Sequence, residues 1–234
     1  MKNCFFACLL LMASSTANAI LVNIDFQPSG STGYNGQGIL GSSADTSWNA
    51  VDFGGASNLT LSDGTTGSGV NVATTFDASF SNLGAATNPR TNTLLADRLF
   101  GNDPLLSRTV TLSGLTANAS YNIVLYNAFY AQTYSINGQS LSASTDPIAA
   151  SSGNNNFPNW TQGVEYAALD SAMSDNSGQL VIVVTPWDGT TDFDPPNSAI
   201  AGLQIQSVPI PAALYLFATG LAGLAGIAKR KKTA

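Results

Sequence analysis

Short stretches of alternating apolar and polar residues, separated by turns rich in glycine and asparagine, fill the middle of this 234-residue chain. Arg108 to Ser113 is the clearest: Val110 and Leu112 fall on one face, Thr109 and Thr111 on the other, the period of a half-buried strand. Gly69 to Phe76 repeats the pattern with Val70, Val72 and Thr74, and pairs with Ser57 to Leu61 around an Asp63-Gly64 turn. Ile20 to Phe26, Trp48 to Phe53, Tyr121 to Tyr126, Val164 to Leu169 and Ala199 to Val208 predict further strands. Gly178 to Thr185, GQLVIVVT, is apolar enough to be central. Gln132–Ile136 and Gln139–Ala143 flank Asn137-Gly138, two residues that tolerate the positive φ of a type I′ hairpin turn. One helix is expected within Asn88 to Gly101, where Leu94, Leu95, Arg98 and Leu99 recur at helical spacing. Roughly ten short strands and one short helix predict an all-β, antiparallel β-sandwich.

The two ends follow other patterns. Met1 to Ala19 has a positive start at Lys2, an apolar run from Phe5 to Ala13 and the small-residue sequence Ala17-Asn18-Ala19. This is the layout of a secretory signal peptide cut after Ala19. A lipoprotein alternative at Cys8 leaves almost no apolar run before it. Cys4 and Cys8 are the only cysteines and would leave with the signal, so the mature chain would carry no thiol or disulfide. At the other end, Pro209 and Pro211 precede an uncharged run of 17 residues, Ala212 to Ala228, followed by Lys229, Arg230, Lys231 and Lys232. As a helix the run would be about 25 Å long, enough for a thin bilayer. The basic cluster would stop transfer and keep the C-terminus cytoplasmic. Gly220, Gly223 and Gly226 would leave a groove where another membrane helix could approach. The expected division is therefore a signal peptide at 1–19, a β-sandwich ectodomain at 20–207, and a C-terminal segment at 208–232 containing a single transmembrane helix.

The sequence Val208-Pro209-Ile210-Pro211-Ala212, then the Gly- and Leu-rich run, then the basic end, resembles the PEP-CTERM protein-sorting signal in its VPLPA-type variant. Ile210 stands where the founding form has Glu. The resemblance implies a Gram-negative source, cleavage near the proline motif by an exosortase-like membrane protease, and deployment at the cell surface, outer membrane or extracellular matrix. It also implies co-production with exopolysaccharide. In the middle of the chain, the order IDF, GQGILG, WN, LL-D-LF, TVTLSGLTANASYNIVLY, SINGQ and AIAGLQI resembles jelly-roll modules of the galactose-binding or malectin-like type. A fibronectin type III sandwich shares the Leu115…Tyr121 element, but the length and the leading strand favour the jelly roll.

Charge narrows the partners. Residues 20–207 hold three cations, Arg90, Arg98 and Arg108, against fourteen carboxylates, a net charge of −11. Such a surface repels nucleic acid and anionic lipid. The chain has no histidine, which removes Ser-His-Asp and Cys-His nucleophile systems and histidine metal sites. Gly36-Gln37-Gly38-Ile39-Leu40-Gly41 has the glycines of a dinucleotide loop but precedes no helix and sits in no βαβ pattern. Glycosidic cleavage needs a carboxyl pair, and Glu165 is the one glutamate among thirteen aspartates. No catalytic residue is assigned, and the chain reads as non-enzymatic.

Two candidate binding chemistries remain. Asp188, Asp192 and Asp194, in a loop with Gly189, could supply oxygen ligands to calcium, the one candidate cofactor; an ordinary acidic turn is the alternative. The jelly-roll resemblance adds Asp25 as a further ligand. Loop aromatics Tyr34, Phe129, Tyr130, Trp160 and Trp187 could stack on a sugar ring, with Asn127, Gln132, Asn159 and Asp188 holding hydroxyls. Trp48, in a strand, reads as core. The expected function is an exported, exosortase-sorted surface or matrix protein associated with extracellular polysaccharide. The alternatives are a calcium-stabilised carbohydrate-binding module and a secreted glycan hydrolase.

Overall fold

Alternation and burial coincide along the strands. In the computed structural model, which describes residues 19–31, 33–81, 93–103, 106–127, 132–140, 158–186 and 197–209, thirteen strands and one helical turn follow in order. They are β1 (Leu21–Phe26), β2 (Asn49–Val51), β3 (Asn71–Thr74), β4 (Ala78–Ser81), α1 (Thr93–Ala96), β5 (Asp97–Phe100), β6 (Arg108–Ser113) and β7 (Ser120–Tyr126). Then come β8 (Gln132–Ile136), β9 (Gln139–Ser140), β10 (Tyr166–Met173), β11 (Leu180–Pro186), β12 (Ala199–Ile200) and β13 (Gly202–Ser207). One sheet has the order β10-β7-β13-β1-β2 and a second the order β3-β6-β11-β8-β9. All pairings are antiparallel except β1 with β2.

The two five-stranded sheets form an all-β sandwich. Val22, Ile24, Ile123, Leu125, Leu203 and Ile205 from the first sheet share one core with Val110, Leu112, Ile136, Leu180, Ile182 and Val184 from the second. β11 lies at the centre of its sheet, as its apolar sequence requires. The Asn137-Gly138 turn has φ of 46° and 77°, the two positive angles that close a tight hairpin between β8 and β9. Ala201 separates β12 from β13, so one stretch of chain passes from a small third sheet, β12-β5-β4, into the first large sheet.

Three elements depart from the sequence pattern. The helix expected over Asn88–Gly101 is a single turn at Thr93–Ala96, and Asp97–Phe100 is strand. The leucine spacing fits either conformation, and pairing of β5 with both β4 and β12 decides for the strand. Ser57–Leu61 is not a regular strand, although it tracks its partner: Leu59 N donates to Val70 O at 2.9 Å and Ala56 bridges Val72. β10 starts two residues later than expected and runs on to Met173 through a register shift between Leu169 and Ala172, where Ser171 has a φ of 61°. β4 was not evident in the pattern.

Residues Ile20–Val208 make one compact unit. No helix among the described residues is long and apolar enough to cross a membrane. The expected signal peptide up to residue 18, including Ala17, and the segment from Ile210 to Lys232 lie outside the described residues, as do Lys229, Arg230, Lys231 and the other tail positions.

Ile182 is fully buried between the sheets. Ile182→Ala is expected to destabilise the domain by about 2–5 kcal/mol, read as a lower urea midpoint with an unchanged slope.

Candidate functional site

The outward face of the sheet β10-β7-β13-β1-β2 should be solvated in a simple sandwich. It is instead covered. Asn23, Asp25 and Gln204, polar residues at outward positions, have no solvent exposure. A buried polar group needs a partner, and these three find theirs in the backbone of the loop 33–48. Asn23 Nδ2 donates to Asp45 O and Ser47 O, both at 3.1 Å. Gln204 Nε2 donates to Asn23 Oδ1 at 2.7 Å and to Leu40 O at 3.1 Å, while Leu40 N donates to Gln204 Oε1 at 2.8 Å. Tyr126 hydroxyl donates to the same Oε1 at 2.6 Å and accepts from Ile39 N at 2.8 Å. Tyr34 N donates to Asp25 Oδ2 at 2.7 Å. The side chains of three neighbouring strands thus act as a template to which the loop backbone binds.

The GQGILG stretch is the part held closest. A Cβ on Gly38 would fall 2.3 Å from Gln204 Nε2, so this glycine serves close approach to a side chain of the sheet. No helix follows it, and the loop holds none of the geometry of a nucleotide cradle.

A second apolar cluster seals the same layer. Leu94, Leu95, Val124, Tyr126, Trp160, Ala199 and Ala201 are buried, with Tyr34, Ile39, Leu40, Trp48, Phe100 and Tyr166 packed against them. Tyr34 and Trp48 meet edge to face at 5.1 Å, as do Tyr126 and Trp160. The Trp48 indole donates to Gly36 O at 2.8 Å and the Tyr34 hydroxyl to Gln37 O at 2.9 Å, so the polar edges of these rings also hold the loop.

Two carboxyls sit beside this layer. Burial pushes Asp25 up to about 7; the bond from Tyr34 N opposes the shift and the nearby Asp97 adds to it. Burial likewise raises Asp97 to about 6, against the lowering effects of a bond to Ser81 and of the Arg98 charge. Both are fully buried. Asp25 holds the loop at Tyr34. No sequence signal marked Asp97 as a partner of Asp25, because the contact arises from β1 lying against β5.

The candidate residues of the sequence reading divide into three groups. Tyr34 and Trp160 are placed in the second cluster, and Trp160 is 6% exposed, set edge to face against Tyr126. Trp48 also packs there, one residue before β2 and outside the central core. Glu165 is buried, and its Oε2 accepts from Thr161 N at 2.8 Å within a tight turn. Phe129, Tyr130, Trp187, Asp188, Asp192 and Asp194 lie outside the described residues, but the residues that flank them do not. Gln132 is paired with Pro186, and its Nε2 donates to Asn197 O at 2.8 Å. Gln132, Pro186 and Asn197, which flank the segments 128–131 and 187–196 in sequence, therefore meet at one end of the sandwich. At that end Arg108 and Asp77 form an ion pair at 2.8 Å, and Ser198 hydroxyl donates to Leu106 O.

No family model matches the chain, and no curated protein does. Among solved structures, the chain is similar to the extracellular domain of ANXUR2 from Arabidopsis thaliana, with 13% identity, a TM-score of 0.40 and 60% of this chain covered. It is similar to the ANX2 ectodomain of the same plant at 14% identity, a TM-score of 0.39 and 58% coverage. It is also similar to the protein YxiM from Bacillus subtilis at 12% identity, a TM-score of 0.40 and 80% coverage. The chain spans about two-fifths of each, 41%, 41% and 40% respectively.

The acid pair carries a pH signature. A carboxyl raised by folding binds its proton more tightly in the folded state, so stability falls as pH rises from the ordinary carboxylate range through about 6 and 7. The domain is expected to lose several kcal/mol between pH 4 and pH 8 from these groups. Asp25→Asn keeps an acceptor for Tyr34 N and should flatten that slope, as read by thermal melts across the range.

Proposed function

We propose that this chain is an exported, non-enzymatic β-sandwich protein, sorted through its C-terminal segment by an exosortase-type system to the surface or extracellular matrix of a Gram-negative cell. The observation that carries the reading is the extent of the compact unit, Ile20 to Val208. It begins one residue after the A-x-A sequence and stops at the proline motif. A fold bounded in this way survives removal of both end segments, as a precursor processed at both ends requires. The exosortase-like protease and, before processing, the inner membrane are the partners of the C-terminal segment.

The test is the intact mass of the protein recovered from outer membrane and medium of its native host. The expected species lacks Met1–Ala19 and the residues beyond about Val208. A species that keeps Lys229–Lys232 would be a plain membrane anchor, and the sorting reading would be withdrawn.

A second reading concerns the ligand. The pairing of Gln132 with Pro186 and its bond to Asn197 O favour a glycan site that draws on Phe129, Tyr130 and Trp187, with Asp188, Asp192 and Asp194 as candidate calcium ligands. Matrix polysaccharide is the proposed ligand. Tyr130→Ala and Trp187→Ala are each expected to weaken retention on the native polysaccharide by about 1–3 kcal/mol, roughly fivefold to a hundredfold. Retention unchanged in both would remove the glycan reading, while hydrolysis of the polymer abolished by a single Asp→Asn change would favour a hydrolase.

A further inference from the structure

Asparagine followed by glycine is chemically labile. The glycine backbone nitrogen, unshielded by a side chain, can reach and attack the asparagine side-chain carbonyl. The chain has two such pairs, Asn35-Gly36 and Asn137-Gly138, each followed by glutamine. The fold treats them differently. At Asn137, Nδ2 donates to Met173 O at 2.9 Å and Oδ1 accepts from Val181 N at 2.7 Å. The backbone nitrogen of Asn137 donates to Val181 O at 2.8 Å. The side chain thus stands in for its own backbone carbonyl and extends the β8–β11 ladder by one residue. Its carboxamide is held between β10 of one sheet and β11 of the other.

Asn35 has no such restraint. It is exposed, and neither of its amide atoms bonds to a described residue. Its two neighbours are anchored. Tyr34 N donates to Asp25 Oδ2 at 2.7 Å, and Gly36 O accepts from the Trp48 indole at 2.8 Å. A Cβ on Gly36 would fall 2.3 Å from the Tyr34 hydroxyl oxygen, which is itself held by Gln37 O at 2.9 Å. Packing therefore favours glycine at position 36 and leaves the asparagine side chain before it unrestrained beside the Gly36 nitrogen.

We infer that Asn35 is a site of spontaneous covalent modification, and that its reaction loosens the loop 33–48. The Gly36 nitrogen forms a bond to Asn35 Cγ. The Cγ–Nδ2 bond breaks, and Nδ2 leaves as ammonia with the proton from Gly36 N. Water then opens the cyclic succinimide at either carbonyl. Opening at Cγ gives aspartate. Opening at the main-chain carbonyl gives isoaspartate, whose backbone runs through Cγ and gains one carbon. Water is the one co-reactant, and nothing is oxidised or reduced. The added carbon falls between two anchors, the Tyr34 bond to Asp25 and the Gly36 bond to Trp48, whose spacing is fitted to the ordinary backbone. Either product also places a negative charge one residue from Tyr34, whose nitrogen faces Asp25. Tyr34 and Trp48 are the rings set over Trp160 and Tyr126, so the change at 35 uncovers the second apolar layer.

The test ages the full chain in heavy-oxygen water, folded and in urea, and maps the label by peptide mass. In the folded chain, residue 35 is expected to take up label at least about tenfold faster than residue 137, whose two side-chain hydrogen bonds must open first. In urea the two pairs are expected to react at similar rates. Labelling of 137 as fast as 35 in the folded chain, or labelling of 35 in urea alone, overturns the assignment. The loosening is read separately, by acrylamide quenching of tryptophan fluorescence. The quenching constant is expected to rise as the chain ages and to stay unchanged in aged Asn35→Ser, which has no amide to lose. An equal rise in both, or no rise in a chain shown by mass to be modified at 35, overturns the link to the loop.

Discussion

The constraint on which this structure turns is the burial of polar side chains on the outward face of a sheet. Asn23 and Gln204, on adjacent strands, bond to each other and then to backbone groups of the 33–48 loop. Such groups are costly when unpaired and useful when every member is satisfied. Their arrangement fixes where the loop lies and thereby which apolar residues are covered. Tyr34, Ile39, Leu40 and Trp48 come to rest over Tyr126 and Trp160 because the polar ladder puts them there. The sandwich consequently has two apolar layers, one between its sheets and one beneath a loop without regular secondary structure.

This arrangement also explains how a domain with no disulfide can keep a long irregular loop in place. A loop held by backbone hydrogen bonds to buried side chains needs particular residues at the sheet positions and glycine where the backbone comes nearest. Gly38 against Gln204 is that place. The aromatic edges supply a second set of anchors from above, through the Trp48 indole and the Tyr34 hydroxyl. The acid Asp25 completes the set at the mouth of the loop, and its proton affinity ties the loop to pH.

The inter-sheet core was legible in the sequence because period-two alternation over β6, β3 and β11 reports burial on one face directly. The Asn137-Gly138 hairpin was legible because few residue pairs suit its dihedral angles. The second layer was not. Alternation marks Asn23, Asp25 and Gln204 as outward, and nothing local says that the loop 33–48 will fold back over them. For the same reason the packing of Tyr34 and Trp160 against Tyr126 and Trp48 has no local signature. Asp97–Phe100 read as helix because its leucines fit two periods, and the choice rests with distant partners on β4 and β12. Pattern shows which face of an element is apolar; it does not show whether the polar face meets water.

β13 has one more property. It is flanked on both sides, by β1 and by β7, with ladders that run along almost its whole length. Their hydrogen bonds stand perpendicular to the strand. A pull on the chain at Val208, resisted by material gripping the far end of the domain, acts along β13 and loads both ladders together in shear. They cannot open one bond at a time under such a load. A pull between Ile20 and Val208 would instead unzip β1 from β13 pair by pair. The domain is thus mechanically anisotropic, stiff to a load along β13 and weak between its own two ends.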